Sequence, residues 1–253
     1  MFVELGEVTL KILEKRFQEA NIEVEAISKI LAEQHVPVGG RVLDIYCLIG
    51  KHAIALAERG YNVVGVDISP LMIKHANELA ESKNVQDNVK FLVADPRYIL
   101  KILKGQQKQF NAILSMYTYM GSYDEKTDQE ILKQLRRLIA PQGVIIVEVS
   151  NRDYIVRHFQ KASITHINNT EFHVERRLNL ETSNMENTLR YYLKKGKDLK
   201  FKGILEVEHR VYSLHELISL LNRTGWTYVK SYGSFKLEQP TTDLSNLIVV
   251  GEA

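Results

Sequence analysis

Cysteine is almost missing from this 253-residue sequence. Cys47 stands alone, which excludes an intramolecular disulfide and any cysteine-based metal site. His166, His173, His209 and His215 lack a convincing ligand spacing, so no metal is expected. Excess charge is also missing: a net charge of +2 gives no strong case for nucleic acid as a partner. No run approaches the roughly 18 apolar residues of a membrane span. The amino-terminal MFVELGEVTLKILEKRF scatters acids and bases through its apolar positions, unlike a secretion signal, so a cytoplasmic location without membrane contact is expected. Internal repeats, low-complexity tracts and disordered linkers are absent as well. What is present is core material. At 45% apolar residues the chain can bury a full core as one domain, or as one domain with an inserted piece.

The segment Arg41 to Pro70, RVLDIYCLIGKHAIALAERGYNVVGVDISP, orders a strand, a turn, a helix and a second strand. Val42 and Leu43 lead into Asp44, the turn runs from Ile45 to Gly50, and Lys51 to Arg59 is helical. Tyr61 to Val66 is the second strand, and Asp67 follows 17 residues after Gly50. An acid at that place suits the two hydroxyls of a ribose. A dinucleotide site would set pyrophosphate on three glycines at the helix N-terminus. Here only Gly50 of the turn glycines is present, and Asp44 puts a carboxylate where the pyrophosphate would lie. An acid there favours a cationic ligand.

This stretch resembles motif I of the class I S-adenosylmethionine-dependent methyltransferases, an acid followed by glycines at alternate positions and then a helix. Asp67-Ile68-Ser69-Pro70 is similar to the second acidic motif of that family, and Val89 to Asp95 to its third strand and acid. LIAPQGVIIVE from Leu138 resembles the helix end, Pro-x-Gly turn and fifth strand of the family, while Phe110 to Met116 followed by MYTYMGSY, NRDYIVRHF, RVYSLHEL and NRTGW resemble a small-molecule subgroup, so the likeness covers about Val36 to Ala253. The resemblance implies a doubly wound α/β fold, with a seven-stranded, mostly parallel Rossmann-like sheet and an inserted antiparallel β subdomain. It implies S-adenosylmethionine as cofactor and S-adenosylhomocysteine as product. The residues it places at the cofactor are Asp44, Tyr46, Cys47, Gly50, His52, Asp67, Ile68, Met72, Asp95, Pro96 and Met116. Leu48 stands where the family usually has glycine, and Tyr46 where it often has glycine or another small residue. Both put a Cβ where backbone normally approaches the ligand, and so narrow the methionine slot.

The chain divides into a helical segment over 1–35, a core over 36–150 and 213–253, and an insert over 151–212. Val8 to Gln34 is helical by the spacing of Leu10, Leu13, Phe17, Val24, Ile27, Ile30 and Leu31, with a break near Asn21. Further helices are expected at Leu71 to Ser82, Pro96 to Lys104, Asp124 to Ile139 and Asp153 to Gln160. In the insert, Phe172, Val174, Leu178 and Leu180 alternate with polar residues, as do Leu189, Tyr191 and Leu193, and then Leu205, Val207 and Val211. That period predicts three or four antiparallel strands, with turns near Asn168-Asn169, Ser183-Asn184 and Lys195-Gly196. Ser213 and Glu216 form a capping box for the last helix. Trp226 to Tyr232 and Leu244 to Gly251 are closing strands, antiparallel at the sheet edge.

Beyond the fourth and fifth strands, Tyr117, Thr118, Tyr119 and Tyr123 are candidate walls of an acceptor pocket, with Asn151, Arg152, Arg210 and Tyr212 at its rim. Arg176 falls on the apolar face of its strand, so it either reaches a pocket or is paired there. Each residue also has a structural role open to it. Asp44 and Asp67 can serve as turn residues, Asp95 as a helix cap, the tyrosines as packing, and Arg176 and Arg210 as ion-pair partners. Lys51 and His52 fit a cofactor carboxylate or a solvated helix end. The functional expectation is methyl transfer to a small molecule by a monomer or homodimer. The alternatives are an RNA methyltransferase using the lysines of KKGKDLKFK with Arg176, Arg177 and Arg190, or a non-catalytic member with a closed slot.

Overall fold

Short alternating strands and helices build a parallel core because each strand is apolar on both faces and each helix on one. The protein is described here by a computed structural model covering Leu10, Leu13 and residues 21–253 except 118, 168 and 197. Helix α1 (Asn21–Glu33) buries Val24, Ile27, Ile30 and Leu31, the stripe expected of a helix with one face on a core. The units β1 (Arg41–Ile45), α2 (Lys51–Ala57), β2 (Asn62–Asp67), α3 (Pro70–Ser82) and β3 (Val89–Val93) follow. A 3₁₀ turn (Pro96–Tyr98) leads into α4 (Ile99–Ile102), and then come β4 (Phe110–Ser115), α5 (Glu125–Leu138), β5 (Ile139–Ser150) and α6 (Arg152–Arg157). The helix expected over Pro96 to Lys104 is thus split, its first turn tightened by the Asp95 cap and Pro96.

The insert contains β6 (Ala162–Ile167), β7 (Thr170–Asn179), β8 (Asn184–Lys195) and β9 (Asp198–Arg210), and α7 (Leu214–Arg223), β10 (Thr227–Tyr232) and β11 (Asn246–Glu252) close the chain. The large sheet has the order β10-β11-β5-β4-β1-β2-β3. Strands β1 to β5 are parallel, and β11 lies antiparallel between β5 and β10. The two closing strands thus occupy one margin of the sheet, antiparallel to each other, with β10 outermost. A bulge between Tyr228 and Lys230 bends it there. Of the long leading helix, the part before Asn21 lies outside the described residues apart from Leu10 and Leu13.

Strand order reverses between β1 and its neighbours β2 and β4, which opens a crevice beyond their carboxyl ends. The four insert strands form a separate antiparallel meander. Its base is pinned by a bridge between Asn151 and Tyr212, so the inner face, with Phe172, Val174 and Leu205 buried, stands over that crevice.

Candidate functional site

The turn after β1 alternates left-handed residues: Tyr46 (φ 58°), Leu48 (φ 52°) and Gly50 (φ 75°). Only glycine fits at Gly50, where a Cβ would lie 2.5 Å from the Phe91 ring. For Tyr46 and Leu48 the left-handed conformation costs about 1–2 kcal/mol each, so other contacts must hold them. Tyr46 stacks on Tyr119 with ring centroids 4.2 Å apart and planes within 5°. Leu48 is buried in a cluster with Leu10, Leu13, Ile49 and Met72. Its N–H donates to Asp67 Oδ2 at 3.1 Å, while Ser69 N–H donates to Asp67 Oδ1 at 2.9 Å. Burial still raises the pKa of Asp67, against the pull of those donors.

Asp44 is 1% exposed. Burial, with the charge of Asp67, pushes its pKa up to about 8, and a backbone hydrogen bond from Ala53 opposes this. Its Oδ2 has no hydrogen-bond partner, and neither do the buried Tyr46 hydroxyl and Ser115 Oγ. These three orphaned atoms belong to the carboxyl ends of β1 and β4, where the strand order reverses. Orphaned buried polar atoms are uncommon, and their concentration here fits a polar, partly cationic ligand.

On the other side of the turn, Glu23 from α1 joins Lys51 and His52 at the start of α2. Its Oε2 lies 2.8 Å from both Lys51 Nζ and His52 Nε2, and both of those residues are buried. Burial would raise the Glu23 pKa, but His52 and Lys51 outweigh it and hold it at about 2. Burial keeps His52 below its usual value. Tyr117 packs on His52 with centroids 5.0 Å apart, and its N–H donates to Glu148 Oε2 at 2.7 Å.

Above these residues a cavity of about 690 Å³ separates core from insert. Ile68, Tyr117, Tyr119, Tyr123 and Ser150 line it from the core, and Val174, Arg176, Asn187, Leu189 and His209 from the insert. Ile68 is 42% exposed, an apolar surface left open after β2. Cys47, Met72, Met116 and Pro96 are buried around the turn and strand ends. Asp95 caps the 3₁₀ turn and is held by Arg97 in a side-chain pair, so it is already partnered. Thr118 lies outside the described residues.

Three expected rim residues have other work. Tyr212 is buried and its hydroxyl donates to Asp128 Oδ2 at 2.7 Å, so it belongs to the core and not to the cavity wall. Asn151 is buried as the cap of α6 and donates to the Thr241 and Leu244 carbonyls, tying the insert base to the loop before β11. Arg210 pairs with Glu125 and Glu216 and borders a separate cavity of about 420 Å³. Glu23, Asp128 and Glu148 were not expected at all. A glutamate beside the apolar stripe of an amphipathic helix was the one available signal, at Glu23.

Residues 42–143 match the family model described as "Methyltransferase domain". The core has the class I methyltransferase fold. The methyltransferase domain thus coincides with the strands that carry Asp44, Asp67 and the tyrosine wall. The chain is 30% identical over 128 residues to a Bacillus subtilis protein named "Putative methyltransferase YqeM", covering 50% of this chain and 49% of that one. It is 29% identical over 134 residues to the Escherichia coli tRNA 5-carboxymethoxyuridine methyltransferase, covering 52% and 48%. The chain spans about half the length of these relatives. Among solved structures, an S-adenosylmethionine-dependent methyltransferase from Clostridium acetobutylicum superposes with a TM-score of 0.79 at 13% identity, covering 96% of this chain and 97% of that one. That likeness extends the shared fold beyond the methyltransferase domain into the insert.

Proposed function

We propose that the chain is an S-adenosylmethionine-dependent methyltransferase whose acceptor is a small molecule enclosed between core and insert. The observation that carries this reading is the cavity roofed by the insert strands and floored by Ile68 and Tyr117, directly beyond the strand ends that bear Asp44 and Asp67. The donor set fits the cofactor. Asp44 Oδ2 is a buried carboxylate oxygen without a partner, suited to an ammonium, and Asp67 is suited to ribose hydroxyls. Ile68 gives the adenine an apolar face. Leu48 and the Tyr46–Tyr119 stack narrow the methionine end, so binding is accompanied by movement of this turn.

The cofactor supplies a methyl group on a sulfonium, a leaving group already activated. The protein's residues align the acceptor and exclude water, and such alignment is worth about 7–11 kcal/mol. Tyr117, Tyr119 and Tyr123 present aromatic faces and edges on the core side of the cavity. The insert strands cover the other side.

RNA is the weaker reading. Arg177 is paired with Glu186 and Arg190 with Glu175. In the hairpin, Lys194 faces Leu199 and Lys200 faces Leu193, so those two lysines point to opposite faces of the sheet. The test is to incubate the protein with methyl-labelled S-adenosylmethionine and either a dialysable metabolite fraction or total tRNA. Label in the dialysable fraction is expected. Label on tRNA would transfer the assignment to nucleic acid.

A further inference from the structure

Arg176 is a cation built into an apolar wall. It projects from β7 on the face that carries Phe172 and Val174, both buried, and it lines the 690 Å³ cavity beside Val174, Leu189 and Val207. Among the described residues no carboxylate lies within salt-bridge distance of it. Its one side-chain hydrogen bond given by the structure is to Ser163 Oγ, at 2.9 Å from Nη1. The other arginines of this sheet differ: Arg177, Arg190 and Arg210 each have a glutamate. A half-buried guanidinium without a counter-ion carries an uncompensated desolvation cost, which an anionic ligand would offset.

The neighbouring groups complete the pattern. Asn187 is the cross-strand partner of Arg176, and its side-chain amide is 3.4 Å from His209 Nδ1, all three lining the same cavity. Glu206 and Glu208 also border the cavity, but strand alternation points them away from Val207 and His209. Both are exposed, and Glu208 accepts a hydrogen bond from Asn184.

We infer that Arg176, with Asn187 and His209 beside it, binds an oxyanion on the acceptor, so that the substrate is a small molecule with an apolar body and a carboxylate or phosphate group. The guanidinium fork matches either group in two parallel hydrogen bonds. The inference rests on the reading that this cavity receives the acceptor.

The test uses the whole chain without cofactor, in low-chloride buffer, titrated by calorimetry with benzoate, phenyl phosphate and the neutral benzamide. Wild type is expected to bind at least one anion about tenfold or more tightly than benzamide, the gain of one charge-assisted contact. Arg176→Gln removes that preference, and Arg176→Lys, which keeps the charge and loses the fork, retains part of it. The preferred anion separates a carboxylate acceptor from a phosphate one. Equal binding of benzamide, an unchanged preference in a folded Arg176→Gln, or no binding of either anion by wild type would overturn the inference. Because no cofactor is present, failure of the methyltransferase reading leaves this result untouched.

Discussion

The backbone N–H of Leu48 donates to Asp67 Oδ2 at 3.1 Å, so the acid we propose for the ribose also fixes the turn that a glycine would usually make. The two features cannot be altered independently. Asp67→Ala leaves two buried N–H groups, those of Leu48 and Ser69, without acceptors, at about 1–3 kcal/mol for each buried group. Chemical denaturation should show a loss of that order, with Asp67→Asn intermediate because one carbonyl oxygen remains.

Leu48→Gly tests the same turn from the other side. Glycine relieves about 1–2 kcal/mol of left-handed strain, while loss of the buried side chain against Leu10, Leu13 and Met72 costs about 2–5 kcal/mol. The variant is therefore expected to be less stable in urea by a few kcal/mol and to bind S-adenosylmethionine more tightly than wild type. A gain in affinity alongside a loss in stability would mark the side chain as the obstruction.

Titration of Asp44 gives a signed expectation. Its folded pKa is raised from 3.8 to about 8, so the folded state holds a proton that the unfolded state releases. The stabilisation is full below pH 4 and is lost as pH rises towards 8. Asp44→Asn should flatten that slope in denaturation measured from pH 5 to 8. A cation beside Asp44 lowers its pKa, so cofactor binding near pH 7 should release protons, read as a dependence of calorimetric heat on buffer ionisation enthalpy.

Glu23 has the opposite sign. Its folded pKa is lowered from 4.5 to about 2, so its contribution is present above pH 4.5 and lost as pH falls towards 2. Glu23→Gln leaves the buried Lys51 without its counter-ion and should cost about 1–3 kcal/mol at pH 7, less than a fully buried pair because Glu23 is a quarter exposed. Its acid transition should be correspondingly shallower.

Tyr212→Phe separates core from cavity. Removing the hydroxyl takes one donor from Asp128, whose pKa burial has already raised to about 7. The expectation is a loss of about 1 kcal/mol in stability with the anion preference of the cavity unchanged. A changed preference with normal stability would return Tyr212 to the pocket.

The parts legible in sequence were those written as local period and spacing. The alternation of Phe172 and Val174, then Leu189 and Leu205, gave the insert strands, and Asp44, Gly50 and Asp67 gave the crevice. Long-range partners were not written locally. Tyr212 meets Asp128 across 84 positions, and Glu23 reaches His52 across 29, so neither contact has a period to reveal it. The strand order β5-β11-β10 also depends on which edge the returning chain enters. Tyr46 and Leu48 were visible as departures from glycine at positions that call for a positive φ, but the Tyr119 stack that holds Tyr46 was not, because it lies 73 positions away in the sequence.

The central claim is that the crevice between β1, β2 and β4 binds S-adenosylmethionine despite these two side chains. Calorimetric titration of the purified, cofactor-free protein tests it most directly, beside Asp67→Ala and Leu48→Gly. Saturable binding by wild type, lost in a folded Asp67→Ala and strengthened in Leu48→Gly, is the predicted result; no binding by wild type or by Leu48→Gly would contradict the account.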